Sequence, residues 1–216
     1  MRRLSVFFTL AMLSTMAVVG QPRSSRPKPP GEDWVQIFNG KDLTGWKEIG
    51  HEKWVVEDGT IHGFGVTKEY GYLMTEKKYT DFHLTLKFKC EGEGGNSGVF
   101  FHVDFKPGTA DVSQGPQFEI DCTIGHHTAG VYDVGRGWVV WPSPENELVV
   151  QDHDWNEYLL KVEGIRYIAR LNGVVIVDYT DPRPSAWDGC IALQLHSGGK
   201  GNYRFKDIWI RDLSKR

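Results

Sequence analysis

The sequence predicts an all-β protein, folded as an antiparallel two-sheet β-sandwich of the jelly-roll type. Strand-like alternation of apolar and polar residues recurs along the chain, and no segment has a convincing helical period. The 216 residues include 25 Gly, 10 Pro, 8 Trp, 8 Tyr and 11 Phe, a mixture that favours turns and aromatic packing over long helices. A closed β-barrel is the alternative that this pattern leaves open.

The clearest strand is Phe82–Cys90, in which apolar and polar residues alternate over nine positions. Two dipeptides, Asp58-Gly59 and Asn172-Gly173, lie between strand-like runs and supply the positive φ angles that two-residue hairpin turns require. They predict two hairpins. The other predicted strands cover residues 34–38, 53–57, 60–64, 98–105, 117–123, 147–150, 157–163, 166–171, 174–179, 190–196 and 203–212.

The chain divides into three predicted regions. Arg2 and Arg3 precede an apolar run, which predicts a secretory signal peptide over residues 1–20. A membrane anchor is the alternative for this run. Residues 21–33 contain four prolines and predict an extended tether, and residues 34–216 predict a single folded domain. We therefore expect a secreted or periplasmic protein with no membrane span after processing.

Charge and cysteine content exclude several classes of protein. The formal net charge of −3 is spread over mixed signs, so we expect no nucleic-acid partner and favour a small neutral ligand. The cysteines Cys90, Cys122 and Cys190 are too few for a disulfide framework and lack the spacing of a zinc site. Export permits one disulfide, and the odd count then leaves a thiol unpaired.

A pair of carboxylates marks the first candidate site. On the predicted strand that begins at Gln117, a period of two places Gln117, Glu119 and Asp121 on one face and Phe118 and Ile120 on the other. Neighbouring carboxylates can hold different protonation states, because one negative charge raises the pKa of the next. Such pairs recur in the acid and base chemistry of glycosides.

Two other strands carry polar groups on the face opposite their aliphatic residues. Gln194 and His196 share one face of the predicted strand 190–196, and the same period places His102 on the face of Phe100. If these faces converge with that of Glu119, they form a sugar-sized site. Trp141, in a predicted loop, is a candidate sugar platform. The alternative is that each polar face is simply exposed to solvent and has no binding role.

Several motifs, taken in order, resemble the 3-keto-disaccharide hydrolase family, which occurs in exported bacterial proteins. They are residues 38–46 (FNGKDLTGW), 95–101 (GNSGVFF), 130–132 (GVY), 155–156 (WN), 171–173 (LNG) and 191–196 (IALQLH). The chain departs from the common family order, Glu-x-Gln, by having Gln117 before Glu119. His102 stands where relatives often have an arginine.

The resemblance implies a concanavalin A-like sandwich that acts on an oligosaccharide or glycoside whose C3 hydroxyl has been oxidised to a ketone. The partner enzyme would then be a sugar 3-oxidase, which makes the ketone. The chemistry would be removal of the C2 proton, expulsion of the C1 substituent and hydration. The residues assigned to it are Glu119 or His196 as base, Asp121 or His102 as acid or enolate stabiliser, and Asn96, Gln117, Tyr132 and Gln194 as sugar-orienting groups.

A divalent metal ion at the ketone would assist enolisation, but the sequence does not specify its ligands. Glu119-Ile120-Asp121 also resembles the catalytic strand of laminarinase-type glucanases, with Thr123 in place of the final acid. A non-catalytic lectin-like module and a purely structural domain are the other hypotheses for this sandwich.

Overall fold

A computed structural model describes residues 31–92, 95–121 and 123–214. The predicted signal peptide and most of the predicted tether lie outside the described residues. The elements in chain order are β1 (Val35–Gln36), β2 (Trp46–Gly50), β3 (Lys53–Glu57), β4 (Thr60–Phe64), β5 (Gly71–Thr75), β6 (Phe82–Cys90), β7 (Ser97–Phe105), β8 (Val112–Gln114), β9 (Pro116–Ile120), β10 (Val131–Asp133), β11 (Gly137–Val140), α1 (Pro144–Glu147), β12 (Asn156–Glu163), β13 (Arg166–Leu171), β14 (Val174–Thr180), β15 (Cys190–Leu195) and β16 (Asn202–Asp212).

The strands form two eight-stranded antiparallel sheets. The first sheet has the order β14-β13-β12-β6-β16-β4-β3, and β1 pairs with β16. The second sheet has the order β11-β10-β9-β7-β15-β5-β2, and β8 pairs with β7. Each sheet ends in edge strands instead of closing on itself, so the sandwich prediction is confirmed over the barrel.

Both predicted hairpins are present. Asp58 and Gly59 have φ angles of 51° and 73° between β3 and β4, and Asn172 and Gly173 have φ angles of 50° and 84° between β13 and β14. Two successive positive φ angles match the right-handed twist of the flanking strands. The dipeptides therefore set the register of both hairpins.

The core lies between the sheets and follows the period-two pattern. Every second residue of β6 is buried, and Leu84, Leu86 and Phe88 face Phe101 and Phe118 of the second sheet within one apolar cluster. The second sheet also has a smaller apolar cluster, which contains Tyr72, Phe100, Val103, Cys190 and Ala192. The second sheet is therefore buried on parts of both faces.

The strand predictions fail where an element is short or lies at an edge. Residues 147–150 do not form a strand, because α1 ends at Glu147 and a turn follows. The strand predicted for residues 34–38 is reduced to β1. The pattern missed β2, β5, β8, β10 and β11, which have three to five residues each.

The cysteines have different states. Cys90 is disulfide-bonded, whereas Cys190 is a free, buried thiol whose pKa is raised by burial. Cys122 lies outside the described residues. Among the residues that the structure describes, no helix is long and apolar enough to cross a bilayer.

Two tyrosines of the first sheet reach across the core to the second. The Tyr158 hydroxyl donates to the backbone oxygen of Glu119 at 2.5 Å, and the Tyr203 hydroxyl donates to the backbone oxygen of Gly95 at 2.9 Å. Burial raises the pKa of both tyrosines, so both hydroxyls stay protonated and act as donors. These bonds fix the backbone at β9 and just before β7.

We expect Tyr158→Phe to lower the free energy of unfolding by about 0.5–1.5 kcal/mol, because it removes one of two hydrogen bonds to a buried carbonyl that still accepts from the Ala129 backbone N–H. Urea unfolding followed by far-ultraviolet circular dichroism measures this change. Tyr179→Phe, in the half-buried tyrosine of β14, is the matched control and should change stability less. Equal losses in the two variants would contradict a specific role for the cross-core bond.

Candidate active site

A cleft of about 590 Å³ lies on the outer face of the second sheet, opposite the main core. Its polar and aromatic side chains come from six strands of that sheet, from the segments that precede β5 and β7 and follow β15, and from the loop between β7 and β8. The lining residues are Tyr70, Tyr72, Asn96, Phe100, Lys106, Ala110, Asp111, Val112, Gln117, Glu119, Tyr132, Val134, Trp138, Gln194 and His196.

Glu119 lies in this cleft, with two amide donors on its carboxylate. The pleat of β9 sends Phe118 into the core and turns Gln117 and Glu119 outward. The Gln117 amide donates to Glu119 Oε2 at 2.8 Å, and the Asn96 amide donates to Oε1. Gly98 lies opposite Glu119 on β7, and a Cβ there would come within 2.3 Å of Gln117 Oε1. The Gln117 amide therefore fits at this position only because residue 98 is a glycine.

The pKa of Glu119 is raised to about 8: burial is the largest cause and the nearby charge of Asp121 adds to it, while the bonds from Asn96 and Gln117 oppose the shift. The side chain is only 3% exposed, so hydration contributes little to the anion. A carboxylate with this pKa is a much stronger base than an exposed glutamate, and it titrates near neutral pH.

His196 and Tyr70 form a second polar pair in the cleft. The Tyr70 hydroxyl lies 3.2 Å from His196 Nε2, and the two ring centroids are 4.7 Å apart in an edge-on arrangement. The His196 backbone N–H donates to the Asn96 backbone oxygen at 3.0 Å. Asn96 therefore connects the Glu119 carboxylate to the segment that carries His196.

Aromatic rings line the cleft on two sides. Tyr72 and Phe100 meet edge to face with centroids 5.5 Å apart, and Tyr132 and Trp138 do the same at 5.3 Å. Burial raises the pKa of Tyr72 to about 12, with an opposing contribution from a hydrogen bond with Gln194. The Tyr72 hydroxyl therefore remains protonated and can donate.

Three residues that line the cleft have a buried amide oxygen without a hydrogen-bond partner in the described part of the chain. They are Asn96, Gln117 and Gln194. Buried amide oxygens normally have partners, so these three are unsatisfied acceptors in the walls of the cleft. Together with the aromatic rings, they suit a carbohydrate, whose C–H faces stack on rings.

The structure brings together six of the predicted site residues and places three elsewhere. Glu119, His196, Asn96, Gln117, Tyr132 and Gln194 all line the cleft. His102, Asp121 and Trp141 do not line it.

His102 leaves the cleft face because of a β-bulge. Cys190 pairs with Val103 and Ala192 pairs with Phe100, so β7 has one more residue than β15 over this stretch. His102 takes up the irregularity with a φ of 51°, and Val103 replaces it on the face of Phe100. The buried His102 Nε2 lies 2.6 Å from the backbone oxygen of Thr80, and burial lowers its pKa. The prediction that His102 shares the face of Phe100 is therefore wrong.

Asp121 and Trp141 have structural partners outside the cleft. β9 ends at Ile120, and the Asp121 carboxylate then accepts from the Thr123 backbone N–H at 2.9 Å and lies 2.9 Å from His126 Nδ1. Trp141 is 57% exposed and stacks on His127 at 5.8 Å. Asp121 acts on Glu119 through its charge, without facing the ligand space.

Sequence reasoning missed three aromatic residues of the cleft: Tyr70, Tyr72 and Trp138. Tyr72 lies on β5 and Trp138 on β11, and neither strand was predicted. Two tyrosines at a spacing of two, Tyr70 and Tyr72, were the available signal, since such residues share one face of a strand.

His126 and His127 pair with carboxylates. His127 Nδ1 lies 2.5 Å from Glu147 Oε1, and His126 contacts Asp121. Within the described ranges, His, Cys, Asp and Glu side chains form no group of three or more that could hold a metal ion.

The fold and the cleft define a lectin-type β-sandwich with a site of the size and chemistry of a carbohydrate-binding cleft. Comparison of the sequence with known protein families assigns the chain to one family within this class. The chain belongs to the family of 3-keto-alpha-glucoside-1,2-lyase-like domains, whose sequence model matches residues 33–211. The family predicted from the motifs is thus confirmed.

Individual relatives are more distant. A 3-keto-disaccharide hydrolase of Bacteroides thetaiotaomicron is 32% identical over 80 residues, which cover 32% of this chain and 27% of that protein. The crystal structure of a candidate glycosyl hydrolase of Parabacteroides distasonis ATCC 8503 has a TM-score of 0.64 at 23% identity, covering 84% of this chain and 94% of that one. A Bacillus subtilis protein with a galectin-like fold has a TM-score of 0.62 at 14% identity, covering 83% and 94%. These two structures share the fold.

Because its folded pKa is about 8 against an ordinary value of 4.5, Glu119 should make stability fall as pH rises between these values. Below pH 4.5 both folded and unfolded chains hold the proton; above it, the unfolded chain releases the proton first. The glutamine of Glu119→Gln cannot ionise. Between pH 5 and pH 8 the free energy of unfolding of the parent should therefore fall by on the order of a few kcal/mol more than that of the variant. Urea unfolding of both proteins at the two pH values measures this difference. The same change in the free energy of unfolding in parent and variant would contradict the raised pKa of Glu119.

Proposed function

We propose that this protein cleaves 3-keto-glycosides by eliminating the C1 substituent and then hydrating the product. The observation that carries the proposal is the buried Glu119 carboxylate, which receives two amide hydrogen bonds in an aromatic-lined cleft. The family description, which refers to a 1,2-lyase acting on a 3-keto-α-glucoside, and the curated hydrolase relative support the choice of substrate.

Glu119 is the base in this proposal. A ketone at C3 acidifies the neighbouring C2 proton, which passes to the Glu119 carboxylate while the C–H electron pair forms a C2=C3 bond and the charge moves to the ketone oxygen. Burial makes Glu119 a stronger base than usual, and the amides of Asn96 and Gln117 hold its oxygens in place. The Tyr72 hydroxyl, which stays protonated, is a donor for the enolate oxygen.

Departure of the leaving group follows. The enolate charge returns to C3=O, the C2=C3 electrons form a C1=C2 bond, and the C1–O bond breaks with its electrons on the leaving oxygen. That oxygen takes a proton from the Tyr70 and His196 pair, which are hydrogen-bonded at the same cleft. Water then adds across the alkene: its oxygen bonds to C1, its released proton returns to the Tyr70 and His196 pair, and the Glu119 proton returns to C2, so the sum is hydrolysis.

Glu119→Gln should reduce kcat/KM for a 3-keto-disaccharide by about a thousandfold or more, because the amide cannot accept the C2 proton. In the parent, log(kcat/KM) should rise with pH up to about 8 and then level off, since the base must be ionised. Product analysis by chromatography and the pH profile measure both effects.

The matched control is Asp133→Asn, which changes a buried carboxylate that lies outside the cleft. It should keep the pH profile of the parent. Turnover by Glu119→Gln at the parent rate would refute the assignment of the base. Binding of the 3-keto sugar without cleavage by the parent would favour the lectin-like hypothesis instead.

We further propose that the chain is exported and acts on a ketone made by a separate sugar 3-oxidase. The apolar run after Arg3 supports export, because it has the pattern of a signal peptide. Expression in a bacterial host followed by N-terminal sequencing of the mature protein should give Gln21 as the first residue. A mature chain that still begins at Met1 would contradict cleavage.

A further inference from the structure

A second cleft, of about 840 Å³, adjoins the candidate active site. The loop between β7 and β8 separates the two, and Tyr70, Lys106, Ala110 and Asp111 line both. Ser197 lines the second cleft, and the preceding His196 lines the first. The two clefts therefore adjoin each other beside the Tyr70 and His196 pair.

The floor of the second cleft is apolar. Ile49 pairs with Tyr72, and Lys47 pairs with Met74, so this floor continues the outer face of the second sheet towards the edge strand β2. Ile49, Met74 and Phe105 are half-buried and pack against the cluster that contains Tyr72. The Phe105 and Tyr72 ring centroids are 4.8 Å apart. An apolar surface thus runs from one cleft into the other.

The rim of the second cleft is charged, and its chemistry differs from that of the first. Lys47, Glu48, Lys68 and Glu69 are exposed along it. Among the described residues that line this cleft there is no Asn, Gln or Trp, whereas the first cleft has Asn96, Gln117, Gln194 and Trp138. The fixed neutral amides that suit sugar hydroxyls therefore lie in the first cleft alone.

We propose that the second cleft binds the leaving group of the substrate, and that this group is an apolar aglycone such as an aryl ring. The inference rests on the proposed function, because it takes the first cleft as the site of the 3-keto sugar. The half-buried residues Ile49, Met74 and Phe105 offer an apolar area that a ring can cover. The glycosidic oxygen would then lie where the clefts join, within reach of Tyr70 and His196.

The test compares phenyl 3-keto-glucoside, methyl 3-keto-glucoside and a 3-keto-disaccharide as substrates. The methyl group is too small to cover the floor of the second cleft, so the ratio of kcat/KM for phenyl over methyl reports that cleft. Ile49→Ser should lower this ratio about tenfold, mainly through KM, because it removes apolar contact area. Met74→Gln, a change of similar length on the same floor, should lower it in the same direction.

Val175→Ser is the matched control, since Val175 is 40% exposed on β14 of the other sheet. It should leave the phenyl-to-methyl ratio as in the parent. An unchanged ratio in both floor variants would overturn the inference, and so would a loss confined to the 3-keto-disaccharide, which would make the second cleft a sugar subsite.

Binding keeps this inference separate from the proposed function. Calorimetry in the Glu119→Gln background gives the Kd values of the phenyl and methyl 3-keto-glucosides without turnover. Tighter binding of the phenyl compound, weakened about tenfold when Ile49→Ser is added, supports the second cleft as an apolar subsite. If the parent cleaves none of the three substrates, the proposed function fails while this comparison of Kd values still decides what the second cleft binds.

Discussion

The pleat of β9 places a hydrophobic core and a buried carboxylate on opposite sides of one strand, and the site depends on this constraint. Phe118 lies in the core, and Glu119 lies in the cleft next to it in sequence. Because packed side chains cover one face and the cleft walls cover the other, the carboxylate is nearly excluded from water. This desolvation raises its pKa to about 8, and an exposed position on the same fold would not do so.

The neighbourhood of Glu119 is arranged to tolerate that burial. Tyr158 binds the Glu119 backbone oxygen from across the core, and the amides of Gln117 and Asn96 satisfy the side-chain oxygens. Gly98 leaves room for the Gln117 amide. Since an unpaired buried carboxylate is costly, the two amide bonds both stabilise the charged form and restrict where its oxygens point. The same contacts that allow the group to be buried therefore fix its orientation in the cleft.

The fold does not by itself distinguish binding from catalysis, because lectin-type sandwiches serve both. What favours catalysis here is the basicity of Glu119 beside the Tyr70 and His196 pair. The exchange of acid and amide relative to the common family order keeps this chemistry available, since Gln117 and Glu119 contact each other on one face. Either order places one carboxylate and one amide in the same part of the cleft.

The sequence by itself determined the sandwich, the two hairpins, the family and the face on which Gln117, Glu119 and Gln194 lie. These follow from local alternation and turn chemistry, which act over a few residues. Only the tertiary structure decided that His102 leaves the cleft, because the bulge in β7 appears only when its pairing with β15 is known. It also brought Tyr70, which precedes β5, and Trp138, on β11, into the site from segments far apart in sequence, since strand order and register depend on how the whole core packs.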